Sequence, residues 1–390
     1  MIYFDNNATT QIDPEVADGM EPWIREQYGN PSAGYRFGKK ARAAIGEARE
    51  KVAALIDADP EEIIFTSGGT ESNNTAITSA IRIWPDRKNL ISSSVEHSAI
   101  YEPLSFYDST GYSRRLNRVQ SDGKPDLDEW RTLLAENSAA FCSMIWANNE
   151  TGVISPIVEA AEIANEAGVY FHSDAVQAVG KIPVSVNAAP IHSLAISAHK
   201  FHGPKGVGAL YVNRHTRFKP LLFGGGQENE KRSGTENVPG IVGMGIAAQL
   251  ALSRLADAKK MASLRDDFET KVIAAVEGIE VNGHRTDRLP NTTNLYFPGV
   301  DGEGLLILLD EAGLCCSPGS ACSTGSVQPS RILKAMGCSA ARARSSVRFS
   351  LSHSSTQAEV DAAVELIQTA VGKLRITMPS GGGVKINTGS

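Results

Sequence analysis

The segment SAHKFHGPKGVGALYV, Ser197 to Val212, places Lys200 between His199 and a glycine-rich turn, with strand-like residues on both sides. A lysine traps a carbonyl carbon when a partly desolvated or cationic setting lowers its pKa. An acidic residue set against a pyridinium nitrogen is the matching mark of a cofactor that stabilises carbanions. Asp174, in HSDAVQAVGK, is the candidate, and Gln177 beyond it is a donor toward a ring oxygen. Taken alone, a His-Lys pair ahead of glycines is more often an ordinary strand-end turn, and Asp174 reads as readily as a helix N-cap.

After the apolar run EIIFTS comes GGTESNN, with Gly68, Gly69 and Thr70 at the start of an expected helix. Glycines allow close approach, and the first amides of a helix have no internal partners, so this turn suits a phosphate group, although a strand followed by Gly-Gly-Thr is by itself more often an ordinary N-cap. Neither GxGxxG nor a Walker sequence occurs, which speaks against dinucleotides and nucleoside triphosphates. His97, in SSSVEHSAI, follows a polar strand end, where an imidazole either stacks on a ring or is an ordinary hydrogen-bonded surface histidine. Cys322 lies in SPGSACSTGSVQPS, a run of small, turn-forming residues that reads as an exposed loop, the setting of a reactive thiol rather than a structural one. Arg348, in SVRFSLS, alternates with Val347 and Phe349, and its planar guanidinium suits a carboxylate. By itself such an arginine is more often a surface ion pair.

Positioning these residues requires a sheet. The runs 62–67, 139–146, 168–174, 193–197 and 208–212 read as buried strands, and ARAAIGEAREKVAALI (41–56) and PIVEAAEIANEAG (156–168) as helices between some of them. Alternating strands and helices predict an α/β unit with a mainly parallel sheet and its ligand at the carboxyl ends of the strands. Beyond about residue 257 a long helical stretch and the shorter strands 292–299 and 346–352 predict a smaller α+β domain. The expected division is 13–257 for the large domain, 1–12 with 258–377 for the small one, and an unstructured Gly/Ser-rich tail over 378–390.

The 390 residues carry 38 Lys+Arg against 44 Asp+Glu, a net charge of −6, which argues against a general attraction to nucleic acid or anionic membrane. The opening MIYFDNNATT shows no basic segment followed by an apolar run, and no uninterrupted apolar stretch of spanning length is evident, so a cytoplasmic protein is expected. The five cysteines fit a reducing compartment, and no zinc-like spacing accompanies Cys315 and Cys316.

Read together, DNNATT, GNPS, FTSGGTESNN, EHSAI, NNETGVISPI, HSDAVQAVGK, SAHKFHGPKGVGALYV, GGGQENEKRSGTEN, GSACSTG, PSRILKAMG and SVRFSL occur in order along nearly the whole chain. In this the sequence resembles the class V, fold-type I pyridoxal phosphate enzymes, and within them the cysteine desulfurases of the NifS and IscS kind. The resemblance implies pyridoxal 5'-phosphate bound covalently by Lys200, with Asp174 on the ring nitrogen and His97 over the ring. Asn149 and Gln177 would address the ring oxygen, and Gly69, Thr70, Ser197 and His199 the phosphate. Thr235, of RSGT, would reach that phosphate from a second subunit, which makes a homodimer. It further implies that Arg348 binds the α-carboxylate of L-cysteine and that Cys322 takes the sulfur and passes it to an acceptor protein or thiol.

Rival expectations are a class V aminotransferase lacking the nucleophilic cysteine, a selenocysteine lyase, and a catalytically silent scaffold. Two departures stand out. Tyr35 occupies a place after GNPS where the family often has histidine, and the carboxyl tail of the IscS type is not recognisable after Ile376.

Overall fold

A computed structural model describes residues 1–136, 138–318 and 329–377. Its centre is a seven-stranded sheet in the order Ile63–Thr66, Gly208–Val212, Ser193–Ser197, Phe171–Asp174, Ala139–Ser143, Asn89–Ser93, Ser113–Asn117. Gly208–Val212 alone runs against its neighbours, and the other pairings are parallel.

Alternation along the strands shows why both faces are covered. Ile63, Phe65, Leu194, Ile196, Ala209 and Tyr211 belong to one hydrophobic cluster, with Trp130, Met244 and the helix Arg36–Leu55. Ile64, Leu210 and Val212, the intervening positions, belong to another, with Ile77 and Ile100 from the helices Gly69–Ile83 and Ser98–Asp108. A side-chain period of two with apolar residues at both phases is what a sheet sandwiched by helices needs.

Two glycines set close approaches in this unit. A Cβ at Gly245, on the helix Val238–Arg254, would stand 2.6 Å from Ala48 Cα, so the helices Arg36–Leu55 and Val238–Arg254 pack almost backbone to backbone. A Cβ at Gly208 would meet Gly68 Cα at 2.6 Å, which brings the Gly68–Gly69 turn down onto the end of the strand carrying Ser197. The helical stretch Val238–Ala275 is long and apolar enough by composition to cross a membrane, which the sequence reading did not register. Half of its most apolar window is buried within the protein, and a 3-10 turn at Leu255–Asp257 interrupts it.

A second cluster gathers Phe268, Leu295, Phe297, Leu305, Val347, Phe349 and Ile367 between a four-stranded antiparallel sheet and the helices Ala258–Ala275, Gly302–Glu311 and Gln357–Thr377. That sheet runs Ser317–Pro318, Ser346–Ser350, Thr292–Tyr296, Glu280–Val281. The N-terminus joins it: Phe4 is buried in the cluster, and Ile2–Tyr3 pairs in parallel with Leu314–Cys315. Val347 and Phe349 face this core, while Arg348 lines a cavity on the other side.

Candidate active site

The cavity, about 400 Å3, opens where parallel strands of the large sheet end and the smaller sheet meets them. Gly69, Thr70, His97, Asn149, Asp174, Gln177, Ser197, His199, Lys200 and Arg348 all line it, together with Asn7, Asn73 and Glu150. Two candidates are elsewhere. Thr235 lines a separate cavity with Arg232 and Glu228, and Cys322 lies outside the described residues, as does the tail from Met378. Tyr35, at the N-terminal end of Arg36–Leu55, is exposed and does not line the cavity.

Lys200 closes a 3-10 turn, Ala198–Lys200, just after the strand Ser193–Ser197. Its Nζ donates to the carbonyls of Asn7 at 2.6 Å and Ala8 at 2.7 Å. Burial, and next the Arg348 guanidinium, pulls the amine down to about 8, with Asp174 and Asp5 opposing. Desolvation and a neighbouring cation are what make a lysine nucleophilic near neutral pH.

Asp174 ends its strand, 3% exposed. Oδ1 accepts from the Val176 amide at 3.0 Å, so the N-cap-like turn is real, while Oδ2 accepts from Asn73 Nδ2 at 2.7 Å. Gln177 donates from Nε2 to the Asn7 carbonyl at 2.9 Å and accepts from Lys181 Nζ at 2.6 Å. His97 caps the helix Ser98–Asp108, its Nδ1 accepting from the Ala99 amide at 3.1 Å, so the neutral ring carries its proton on Nε2. Burial lowers its pKa, with Asp174 opposing.

Arg348 donates from Nη2 to Asp5 at 2.6 Å and from Nη1 to the Asn149 carbonyl at 3.1 Å. Its Nε is buried and without a partner among the described residues. Glu150 accepts from Ser330 and is raised to about 7, chiefly by burial.

The donor set fits pyridoxal phosphate. The helix Gly69–Ile83 starts with no side-chain cap, and Gly68 at φ 154° holds the turn. The hydroxyls of Thr70 and Ser197 have no hydrogen-bond partner among the described residues. His199, bonded through Nδ1 to Thr9 at 3.1 Å and pushed down to about 4 by burial, is a neutral imidazole beside them. Free donors at one end, a carboxylate in the middle and a depressed amine suit an anion, a ring nitrogen and an aldehyde in turn.

Sequence reasoning gave no role to Asn7, Asp5, Asn73 or Lys181. Asn7 is a hub: beyond Lys200 and Gln177, its Nδ2 donates to the Asn149 carbonyl and to Thr292, and its Oδ1 accepts from the buried Lys181. The polar run DNNATT next to an apolar start was the one signal available.

This fold and donor set suit a pyridoxal phosphate type of enzyme, and the chain belongs to the class-V aminotransferase family, whose model matches residues 2–363. Within that family it resembles NifS-type cysteine desulfurases. A cysteine desulfurase of Nostoc sp. is 46% identical over 380 residues, covering 97% of this chain and 95% of the relative. A solved NifS-like protein superposes with a TM-score of 0.90 at 36% identity, over 96% of this chain and all of the other. The structure of SspA in complex with cysteine gives a TM-score of 0.79 at 33% identity, over 90% and 99%.

Proposed function

We propose that the chain is a pyridoxal phosphate-dependent cysteine desulfurase, which converts L-cysteine to L-alanine and passes the sulfur to Cys322 as a persulfide. The observation that carries this reading is the meeting of Lys200, Asp174, His97 and Arg348 around one cavity. When bound, the cofactor supplies an electron-accepting ring conjugated to the substrate α-carbon, which makes loss of the α-proton and of the sulfur accessible.

The chain's residues divide the remaining work. Gly69, Thr70, Ser197 and His199 would hold the phosphate, Asp174 would keep a proton on the ring nitrogen, and Asn149 and Gln177 would address the ring oxygen. Arg348 fixes the substrate carboxylate, for which its Nε, without a partner among the described residues, is a ready donor. Lys200, neutral once its proton is gone, takes the α-proton at Nζ and holds it as an ammonium against the Asn7 and Ala8 carbonyls. His97, with its proton on Nε2, would face the ring from the cavity wall and move protons to and from the substrate.

The thiolate of Cys322 attacks the substrate sulfur, so an S–S bond forms as the C–S bond breaks, and the three-carbon fragment is protonated to alanine. A sulfur-acceptor protein or thiol then takes the outer sulfur, feeding iron-sulfur cluster assembly or thiolation. The working form is a homodimer in which Thr235 serves the phosphate of the other subunit. Incubation with L-cysteine should yield alanine and, with a thiol present, sulfide. Cys322→Ala should keep the cofactor colour and lose sulfur release; a fully active Cys322→Ala protein would rule out the persulfide step.

A further inference from the structure

Behind Asp174 runs a chain of buried side chains whose first member, Asn73, lines the cavity and whose further members, His172 and Ser193, do not. Asn73 Nδ2 donates to Asp174 Oδ2 at 2.7 Å, Asn73 Oδ1 stands 2.8 Å from His172 Nε2, and His172 Nδ1 stands 2.8 Å from Ser193 Oγ. Asn73, His172 and Ser193 are each 0% exposed. They come from separate elements: the second turn of the helix Gly69–Ile83, the centre of the strand ending at Asp174, and the start of the strand ending at Ser197.

The polarity of the chain is forced. An ionised carboxylate only accepts, so Asn73 must turn its amino group to Asp174 and its carbonyl to His172. That carbonyl needs a donor, which puts the imidazole proton on Nε2 and leaves Nδ1 to accept from the Ser193 hydroxyl. Burial supports a neutral ring, since it pushes His172 down to about 3. The Phe141 ring packs beside the buried His172 imidazole, their centroids 5.8 Å apart.

We propose that Asn73, His172 and Ser193 are positioning residues that hold the Asp174 carboxylate at one rotamer, with its free lone pairs kept for the ring nitrogen of the cofactor. This rests on the reading of Asp174 as the partner of that nitrogen. A carboxylate held from behind by a neutral chain needs no reorganisation when the ring nitrogen arrives, and the chain itself adds no positive charge to compete with the pyridinium.

The test uses the holoenzyme. NMR of labelled histidine nitrogens should show His172 with its proton on Nε2 and no titration between pH 5 and pH 9. Asn73→Ala should weaken cofactor retention about tenfold, the loss of one charge-assisted hydrogen bond, and raise the pH midpoint of the visible absorption band by about one unit, because a loosened carboxylate holds the ring proton less well. His172→Gln, which keeps a donor near the Nε2 position, should preserve both values, and His172→Phe should not. A His172 proton on Nδ1, titration near the ordinary histidine value, or wild-type retention and band midpoint in Asn73→Ala would each overturn the chain. Asp174→Ala separates the two readings. If it shifts the band and Asn73→Ala does not, the chain alone falls; if neither shifts it, the assignment of Asp174 falls as well.

Discussion

The two walls of the cavity are built on different terms. On the large-sheet side, Asp174 has both oxygens bonded to protein donors, and the histidines there, His97 and His199, have their pKa lowered by burial. On the small-sheet side stands Arg348, paired with Asp5 and with an Nε that has no partner among the described residues. A wall with its geometry settled in advance suits a guest that stays, and a guanidinium with a spare donor suits one that comes and goes. Lys200 lies between them, its amine on the Asn7 and Ala8 carbonyls and its pKa set by burial and by Arg348.

Substitutions on the two sides should therefore fail in different ways. The largest effect belongs to the residue both walls share: Lys200→Ala should lower alanine formation from L-cysteine about a thousandfold or more, as expected where a covalent anchor and a general base are the same amine. Next, Arg348→Ala should raise KM for L-cysteine about a hundredfold while the visible absorption of the bound cofactor stays in place, since it strips a charged pair from the transient guest only. A bleached cofactor band in that variant would erase the distinction between the walls.

A smaller effect follows from Lys200 itself. Its amine, ordinarily protonated below 10.5, is held near 8, so uptake of pyridoxal phosphate by the cofactor-free protein should speed up as pH rises through about 8. A midpoint near 10.5 would mean that the site is not desolvated. The smallest concerns Glu96, fully buried beside His97 and raised from 4.5 to about 8 by burial first and Asp174 second. A carboxyl whose folded pKa is raised contributes stability below about 4.5 that is lost as pH climbs through about 8. Glu96→Gln should accordingly leave Tm unchanged at pH 5 and raise it by about 2 °C at pH 9. Equal shifts at both pH values would show that Glu96 is not the titrating group.

The large sheet was legible where the backbone ladder and the apolar run end together. Ser193–Ser197 and Gly208–Val212 coincide residue for residue with SLAIS and GALYV. The run at 139–146 overshoots, because the strand ends at Ser143 while Met144 to Trp146 stay buried as the chain turns into the cavity wall. Lys200, Asp174 and Arg348 stood out because each breaks a local pattern: a cation before glycines, an acid ending an apolar strand, a guanidinium between two core residues. Asp5 and Asn7 showed only as part of the polar run DNNATT after an apolar start. Their partners lie across the chain, Asp5 meeting Arg348 over a separation of 343 residues, and no periodicity records such a meeting. His172 carried a faint signal, a ring with two polar nitrogens inside a strand that is otherwise destined for burial.

The most direct measurement is to load the protein with pyridoxal phosphate, reduce it with borohydride, and map the pyridoxyl group by peptide mass spectrometry. A single modified residue is expected, Lys200, seated between the two walls. Label on Lys181, the neighbouring buried lysine, or no label on a protein that turns L-cysteine into alanine, would contradict it.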